Sequence, residues 1–440
     1  MNKSLFESKS IPKAYFSLSL PVVFSMVVTI IYNITDTYFI ARTQNTLLVA
    51  GVSLCAPLFT LLMAFGNIFG QGGSSLISRL LGQNEKEELH RVSSFCFYIA
   101  IAFGLVAGIL MLLFKNPVLT LLGADSGTFS YATSYYTWMS IGAPVIVLSF
   151  IHTNLIRAEG MSKESMFGTV GGSIINIILD PILIFTFGMG ASGAAIATVL
   201  GYAFTDLFCL IIVFKKSKVL CVNINKAKIK WNYVGQIFGI GTSAALTNLM
   251  QSICLILINQ SLLVYGSDKI AAMGIVQKIS MIVMLVIIGF SFGGAPLIGY
   301  YYGAGDQKHL KELLSFVFKF LSVLSIAMSA ALIVAATPAV HIFLQENELV
   351  RIAALMLRAQ VCSMIFLAVI SLISVIFQAT GKAIPALILS VCRQGVVFFI
   401  VLFAGTQIAG YYGIVWAQPI SDLTTAIIAG GLYLKQLKSL

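Results

Sequence analysis

Two carboxylates, an amide and a hydroxyl stand where a small cation or a proton could be held. Asn176 and Asp180 are four residues apart, so on a helix they share a face. Pro181 has no N–H and cannot bond the carbonyl of Ile177, which leaves an acceptor oxygen beside them. Asp36 lies four residues before the end of an apolar run, Ala14–Ile40, and Thr198 lies seven residues into another that begins at Ala191. If successive runs cross a layer in alternating directions, Asp36, Asp180 and Thr198 come to comparable depth. Such hard oxygen ligands suit a small cation, or two carboxylates trading one proton. The competing reading is a hydrogen-bond network that only packs helices.

The elements that would hold these residues are set by composition. Of 440 residues, 58% are hydrophobic and only 10% charged, too few charges for the surface of a soluble domain. Lipid tolerates such a chain, provided every backbone polar group is paired internally. The apolar runs are longer than the ~10 residues of a barrel strand and do not alternate with polar positions, so helices are expected. We place twelve spans, near 14–40, 47–77, 95–114, 131–156, 167–187, 191–214, 233–264, 270–302, 313–340, 352–377, 384–403 and 413–434. The stretch Met1 to Lys13 is polar and mixed, unlike a cleaved signal peptide, so the first span is expected to be retained. An ionisable group at bilayer depth costs at least ~2.5 kcal/mol, so each one is a functional candidate by default.

Twelve spans put both termini on one side. The opposite side carries only Arg42, Lys115, Lys269 and Arg351, and Lys278, Arg358 and Arg393 fall inside spans. The remaining 20 of the 27 Lys and Arg lie on the side of the termini, which by the positive-inside rule is cytoplasmic. The net charge of +11 is therefore an orientation signal, and nucleic-acid binding is not expected.

The chain repeats itself. Val49–Phe95 aligns with Ile270–Phe316 without a gap at an offset of 221, which superposes Gly72-Gly73 on Gly293-Gly294 and Gly82 on Gly303. The halves have the same span order, so they are parallel repeats, an arrangement that favours a substrate site between them. The expected organisation is a six-helix lobe over 1–214, a cytoplasmic linker over 215–230 and a second six-helix lobe over 231–440. The paired glycines read first as close helix packing and second as hinges.

The repeat also isolates the polar cluster. The positions equivalent to Asp36, Asn176, Asp180 and Thr198 are Leu257, Val397, Val401 and Gln418. The acids thus belong to the first half alone, as a coupling site would. Asp206 and Asp422 are also at span depth but lack such company, and Glu159 marks the cytoplasmic end of the fourth span. The second half offers Gln277, Lys278 and Arg393, with Gln251 and Gln394, as groups that could touch substrate, gate it, or pair with Asp422; snorkelling or an internal pair is the simpler reading. The seven cysteines sit mostly in apolar stretches with no metal-ligand spacing, and His90, His152, His309 and His341 form no metal motif. No cofactor is expected, and neither is an enzyme.

At Tyr32–Ile40, Gly70–Gly82, Asn154–Lys163 and Asn176–Thr198 the chain resembles the multidrug and toxic compound extrusion (MATE) family, over essentially its whole length. In its acids it is most similar to the DinF-like branch and its MepA-like multidrug exporters. The resemblance implies two six-helix lobes alternating between inward- and outward-open states. It implies proton- or sodium-driven export of lipophilic, often cationic compounds by a multi-pass, monomeric protein of the cell membrane. The family's first-lobe cation site would fall on Asp36, Asn176, Asp180 and Thr198, and Glu159 matches an acid implicated in the MepA-like group. Another branch uses acids in the second lobe, which this chain lacks. The nearest rival is a flippase of a lipid-linked oligosaccharide or peptidoglycan precursor, whose anionic cargo would want more cavity cations than Lys278 and Arg393.

Overall fold

The computed structural model describes residues 6–7 and 10–436, all helix and connecting turns. Lys3, Lys9 and Lys438, part of the charge asymmetry, lie outside the described residues. In chain order the helices are α1 (Ile11–Arg42), α2 (Thr46–Leu54), α3 (Ala56–Gly82), α4 (Lys86–Leu113), α5 (Lys115–Leu121), α6 (Phe129–Ile141), α7 (Ala143–Ala158), α8 (Ser162–Pro181) and α9 (Gly190–Lys215). There follow α10 (Trp231–Leu263), α11 (Ser267–Gly293), α12 (Ala295–Gly303), α13 (Gln307–Val334), α14 (Ala336–His341), α15 (Asn347–Ala379), α16 (Ala383–Val391), α17 (Val397–Ala409) and α18 (Tyr411–Gln436).

Ten of these elements, some of them bent in the middle, are long and apolar enough to cross a membrane. An eleventh is the pair α6–α7, bent by 52° at Gly142. Pro144 opens α7, Pro57 opens α3 and Pro296 opens α12, each near the first helical turn, where the missing N–H costs nothing. The expected twelfth span falls on α18, whose Gln418, Ser421 and Asp422 lower its hydropathy and are turned inward and buried.

The residues form two compact units. The first is built on Phe24–Ala245, and the second joins residues 10–23 to the chain from Leu246 on. The expected linker, 215–230, lies wholly inside the first unit. Each unit therefore receives the opening turns of the other half's first helix. In the first unit a Cβ on Gly72 of α3 would collide with the carbonyl of Ile237 at the start of α10. In the second, a Cβ on Gly293 of α11 would collide with the Cα of Ser19 in α1. The glycines paired by the repeat thus play one role, since each lets a helix from the other repeat reach backbone contact.

Within the first unit the linker is bonded to α4. Ser93 and Ser94 each donate to the carbonyl of Cys221 at 2.9 Å, and Lys230 pairs with Glu88 at 3.0 Å. In the second unit Tyr15 donates to the Phe290 carbonyl at 2.8 Å, and Phe16, Phe290, Phe316 and Phe320 meet edge to face around it.

Candidate functional site

The polar cluster is assembled by one close crossing in the first unit. A Cβ on Gly172 of α8 would collide with the Gly201 carbonyl of α9, and one on Gly201 would meet the Gly172 carbonyl at 2.7 Å. With two backbones this near, the next turns of both helices must face each other. Asn176 follows Gly172 by one turn and Thr198 precedes Gly201 by nearly one, so the side chains meet. The small residues at the start of α9 repeat the device, since Gly193 lies against the backbone of Leu183. There α8 gives way, after Asp180-Pro181, to a wider turn over Ile182–Thr186 that takes up the bonds the proline disrupts.

Asp180 is fully buried, Asn176 and Thr198 are nearly so, and Asp36 of α1 is half-buried. With the Asn176 amide turned to satisfy both its ends, Nδ2 donates to Asp180 Oδ2 at 3.3 Å and Oδ1 accepts from the Thr198 N–H at 3.1 Å. Asp36 and Asp180 lie within hydrogen-bonding reach of each other. Both are acceptors when ionised, so such a bond forms only if one carries a proton; otherwise a cation must lie between them. Oδ1 of Asp36 and Oδ1 of Asp180 are both buried with no other partner. All four residues expected at the cation site are thus brought together.

The sequence reading missed the ring of tyrosines around them. The Tyr32 hydroxyl reaches Thr198, the Tyr202 hydroxyl reaches Tyr32, and Tyr135 of α6 faces Asp36. Tyr32 is one turn before Asp36 and Tyr202 one turn after Thr198, so helical spacing from the acids would have found two of the three.

The remaining candidates lie elsewhere. Glu159, just past the end of α7, is completely buried; its Oε2 accepts from the Ser217 hydroxyl and its Oε1 from the Lys218 N–H at 3.2 Å. Burial pushes its carboxyl above the ordinary range, and the Ser217 and Lys218 bonds pull it back. Arg393 and Asp422 do pair in the second unit, Nε to Oδ1 at 3.1 Å, and Gln418 donates to the same oxygen at 2.9 Å. The pair sits where Cys392–Val396 forms a wider turn with Gly395 out of helical geometry. Gln277 is half-buried; Lys278 is exposed and makes no ion pair among the described residues. Asp206 is not isolated, as its sequence suggested: His152 Nδ1 stands 3.0 Å from its Oδ1. No group of three or more His, Cys, Asp and Glu side chains with metal-binding geometry occurs among the described residues.

Comparison with known proteins places this arrangement. The MatE family model matches residues 21–182 and 243–403. The multidrug export protein MepA of Staphylococcus haemolyticus (strain JCSC1435) is 32% identical over 424 residues, covering 96% of this chain and 93% of that protein. MepA of Staphylococcus aureus (strain NCTC 8325 / PS 47) is also 32% identical over 424 residues, covering 96% and 94%. The solved outward-facing structure of a multidrug resistance MATE family transporter of the MOP superfamily superposes with a TM-score of 0.92 at 24% identity, covering 99% of this chain and 98% of that one.

Proposed function

The chain belongs to the MatE family and is a multi-pass membrane protein, and on that premise we propose that it is a multidrug efflux antiporter. It exports lipophilic, largely cationic compounds in exchange for a proton or sodium ion held at Asp36 and Asp180. The observation that carries this reading is the pair of facing carboxyl groups with orphaned Oδ1 atoms. Two carboxyl groups within reach of one another call for a proton or a cation between them.

The four side chains divide the work. Asp36 and Asp180 bind the coupling ion between them. Asn176 fixes the Asp180 carboxylate with one end of its amide and α9 with the other. Thr198 joins α9 to Tyr32 on α1. Loading the site removes one net negative charge from a buried pocket, which favours a tighter packing of α1 against α8 and α9. Unloading restores the repulsion between carboxylates and opens it. Export follows if drug affinity differs between those two packings, and ion entry down its gradient supplies the free energy, ~2.3 kcal/mol per charge per 100 mV. The same oxygens serve a shared proton or a sodium ion.

Both termini are placed in the cytoplasm by the charge asymmetry. The partners are small lipophilic molecules and the bilayer; no nucleic acid, no resident cofactor and no covalent step is involved, and the chain acts as a monomer of the cell membrane. The test is dye efflux from everted vesicles or proteoliposomes carrying Asp36→Asn or Asp180→Asn, with the pH gradient and the sodium gradient imposed separately. Gradient-driven efflux is expected to fall at least about tenfold in either variant. Undiminished efflux in both overturns the assignment, and efflux driven by sodium alone assigns Na+ as the coupling ion.

A further inference from the structure

The first unit holds a second buried acid that the exchange reading does not use. Asp206 on α9 is 6% exposed and His152 on α7 is 3% exposed, and they meet at 3.0 Å between Oδ1 and Nδ1. Nothing else bonds them: His152 Nε2 and Asp206 Oδ2 are both buried without a partner. The Phe97 ring of α4 lies over the imidazole, 5.3 Å between centroids. The imidazole also borders a small apolar cavity, whose other walls include Ser93, Leu155, Val213, Leu220 and Val222. Two of these residues belong to the linker, so the cavity is closed by the strap that Ser93 and Ser94 hold on α4.

We propose that His152 and Asp206 form a second proton-binding site of the first unit, separate from Asp36 and Asp180 and filled and emptied from the linker end. The chemistry follows from the hydrogen bond. An ionised Asp206 accepts from Nδ1–H, which leaves the lone pair of Nε2 buried and unpartnered. A proton delivered by water forms the Nε2–H bond, and the water is left as hydroxide or passes the deficit to bulk solvent. The buried pair goes from a net charge of −1 to an imidazolium beside a carboxylate, which is the cheaper state to bury. Release reverses each step.

The neighbours allow this. On α9 the titratable neighbour is Cys209, which Asp206 faces. On α7 it is Arg157, whose charge reaches Cys209 while its Nε donates to Ser165 Oγ at 3.0 Å. α4 brings Phe97 and Ser93, and the linker brings Leu220 and Val222. Geometry also joins the two sites. Thr198, Tyr202 and Asp206 are spaced i, i+4, i+8 and share one face of α9, so the second site lies ~12 Å along that helix from the first. Only the consequence for transport rests on the exchange reading; the binding itself does not.

The experiment is a pH titration of side-chain nitrogen resonances in protein labelled with nitrogen-15 histidine and purified in detergent. Four histidines give few signals, and His152→Gln identifies those of His152. The expected result is that His152 Nε2 passes from bare acceptor to protonated donor as the pH is lowered. Asp206→Asn should weaken that uptake about tenfold or more, with Asp206→Glu restoring it, whereas Asp36→Asn and Asp180→Asn leave it in place. In proteoliposomes the pH midpoint of efflux should move in His152→Gln. His152 signals fixed across the titration in the wild-type protein overturn the proposal, and that measurement needs no variant to fold beyond the one used for assignment. A titrating His152 with efflux indifferent to Asp36→Asn and Asp180→Asn would keep this site and overturn the exchange reading. Fixed signals with efflux lost in those variants would do the opposite.

Discussion

Glu159 is a buried carboxyl whose charge bears on how the linker docks. It is enclosed by the loop that follows α9 and bonded to Ser217 and Lys218. Its carboxyl sits above its ordinary value of 4.5 because burial penalises the charge. An acid whose folded value is raised contributes most when protonated, so docking of the linker is strongest below the unfolded value and weakens as pH rises through the folded one. Glu159→Gln keeps one acceptor and has no charge to bury. It should therefore hold the linker at least as tightly at neutral pH and abolish the dependence, seen as flat hydrogen-exchange protection of Ser217–Cys221 after correction for intrinsic rates. Glu159→Ala, which removes both acceptors, should loosen the segment by about 1–3 kcal/mol. Protection that climbs with pH in the wild type would contradict the sign. Residues of this kind were half legible in advance. Asp36 and Asp180 declared themselves because helical spacing and depth are local properties. The partners of Asp206 and Asp422 did not, because His152 is 54 residues from the one and Arg393 is 29 from the other, on different helices. Such pairings are decided by packing, which no periodicity reports.

Helix crossings set the site, and glycines set the crossings. At Gly172 and Gly201 neither helix has room for a methyl group without moving the other's backbone. Gly201→Ala should lower stability by about 1–3 kcal/mol and, by spreading α8 from α9, part Asn176 from Thr198. Efflux should fall more than the folded fraction does. Gly430→Ala in α18 is the control, since a Cβ there meets nothing within 4 Å, and it should leave both unchanged. Thermal unfolding with dye efflux on the same preparations checks the pair; equal effects at both positions would refute the role given to the crossing. The sequence showed that Gly72 and Gly293 are equivalent but not what they pack against. Each meets a helix from the other repeat, and a glycine looks the same whichever helix presses on it. The same blindness explains why the compact units depart from the expected halves, because the exchange of opening turns leaves no trace in hydropathy or charge.

Charge placement gives the whole molecule its direction, and structure sharpens that argument within the first unit. The linker gathers the positively charged ends around itself. Lys230 pairs with Glu88 at the start of α4, Lys226 reaches His90, and Lys216 pairs with Glu164 at the start of α8. Lys86, Arg91, Arg157, Lys163 and the linker lysines thus belong to one end of the unit, while Arg42 closes α1 and Lys115 opens α5 where those helices end away from the linker. Each cation kept near an anionic inner leaflet contributes about 1 kcal/mol, so a difference of this size between the ends favours the linker end as the cytoplasmic one. On the proposed exchange, Asp36, near the far end of α1, would then be loaded from outside. Single cysteines decide it. With the native cysteines replaced, Lys228→Cys should react with a membrane-impermeant maleimide only in everted vesicles, and Lys115→Cys only in right-side-out ones. The reverse pattern would invert the molecule and turn the proposed exporter into an importer. It would also place His152 and Asp206 on the outward side, so one labelling experiment bears on both proton sites at once.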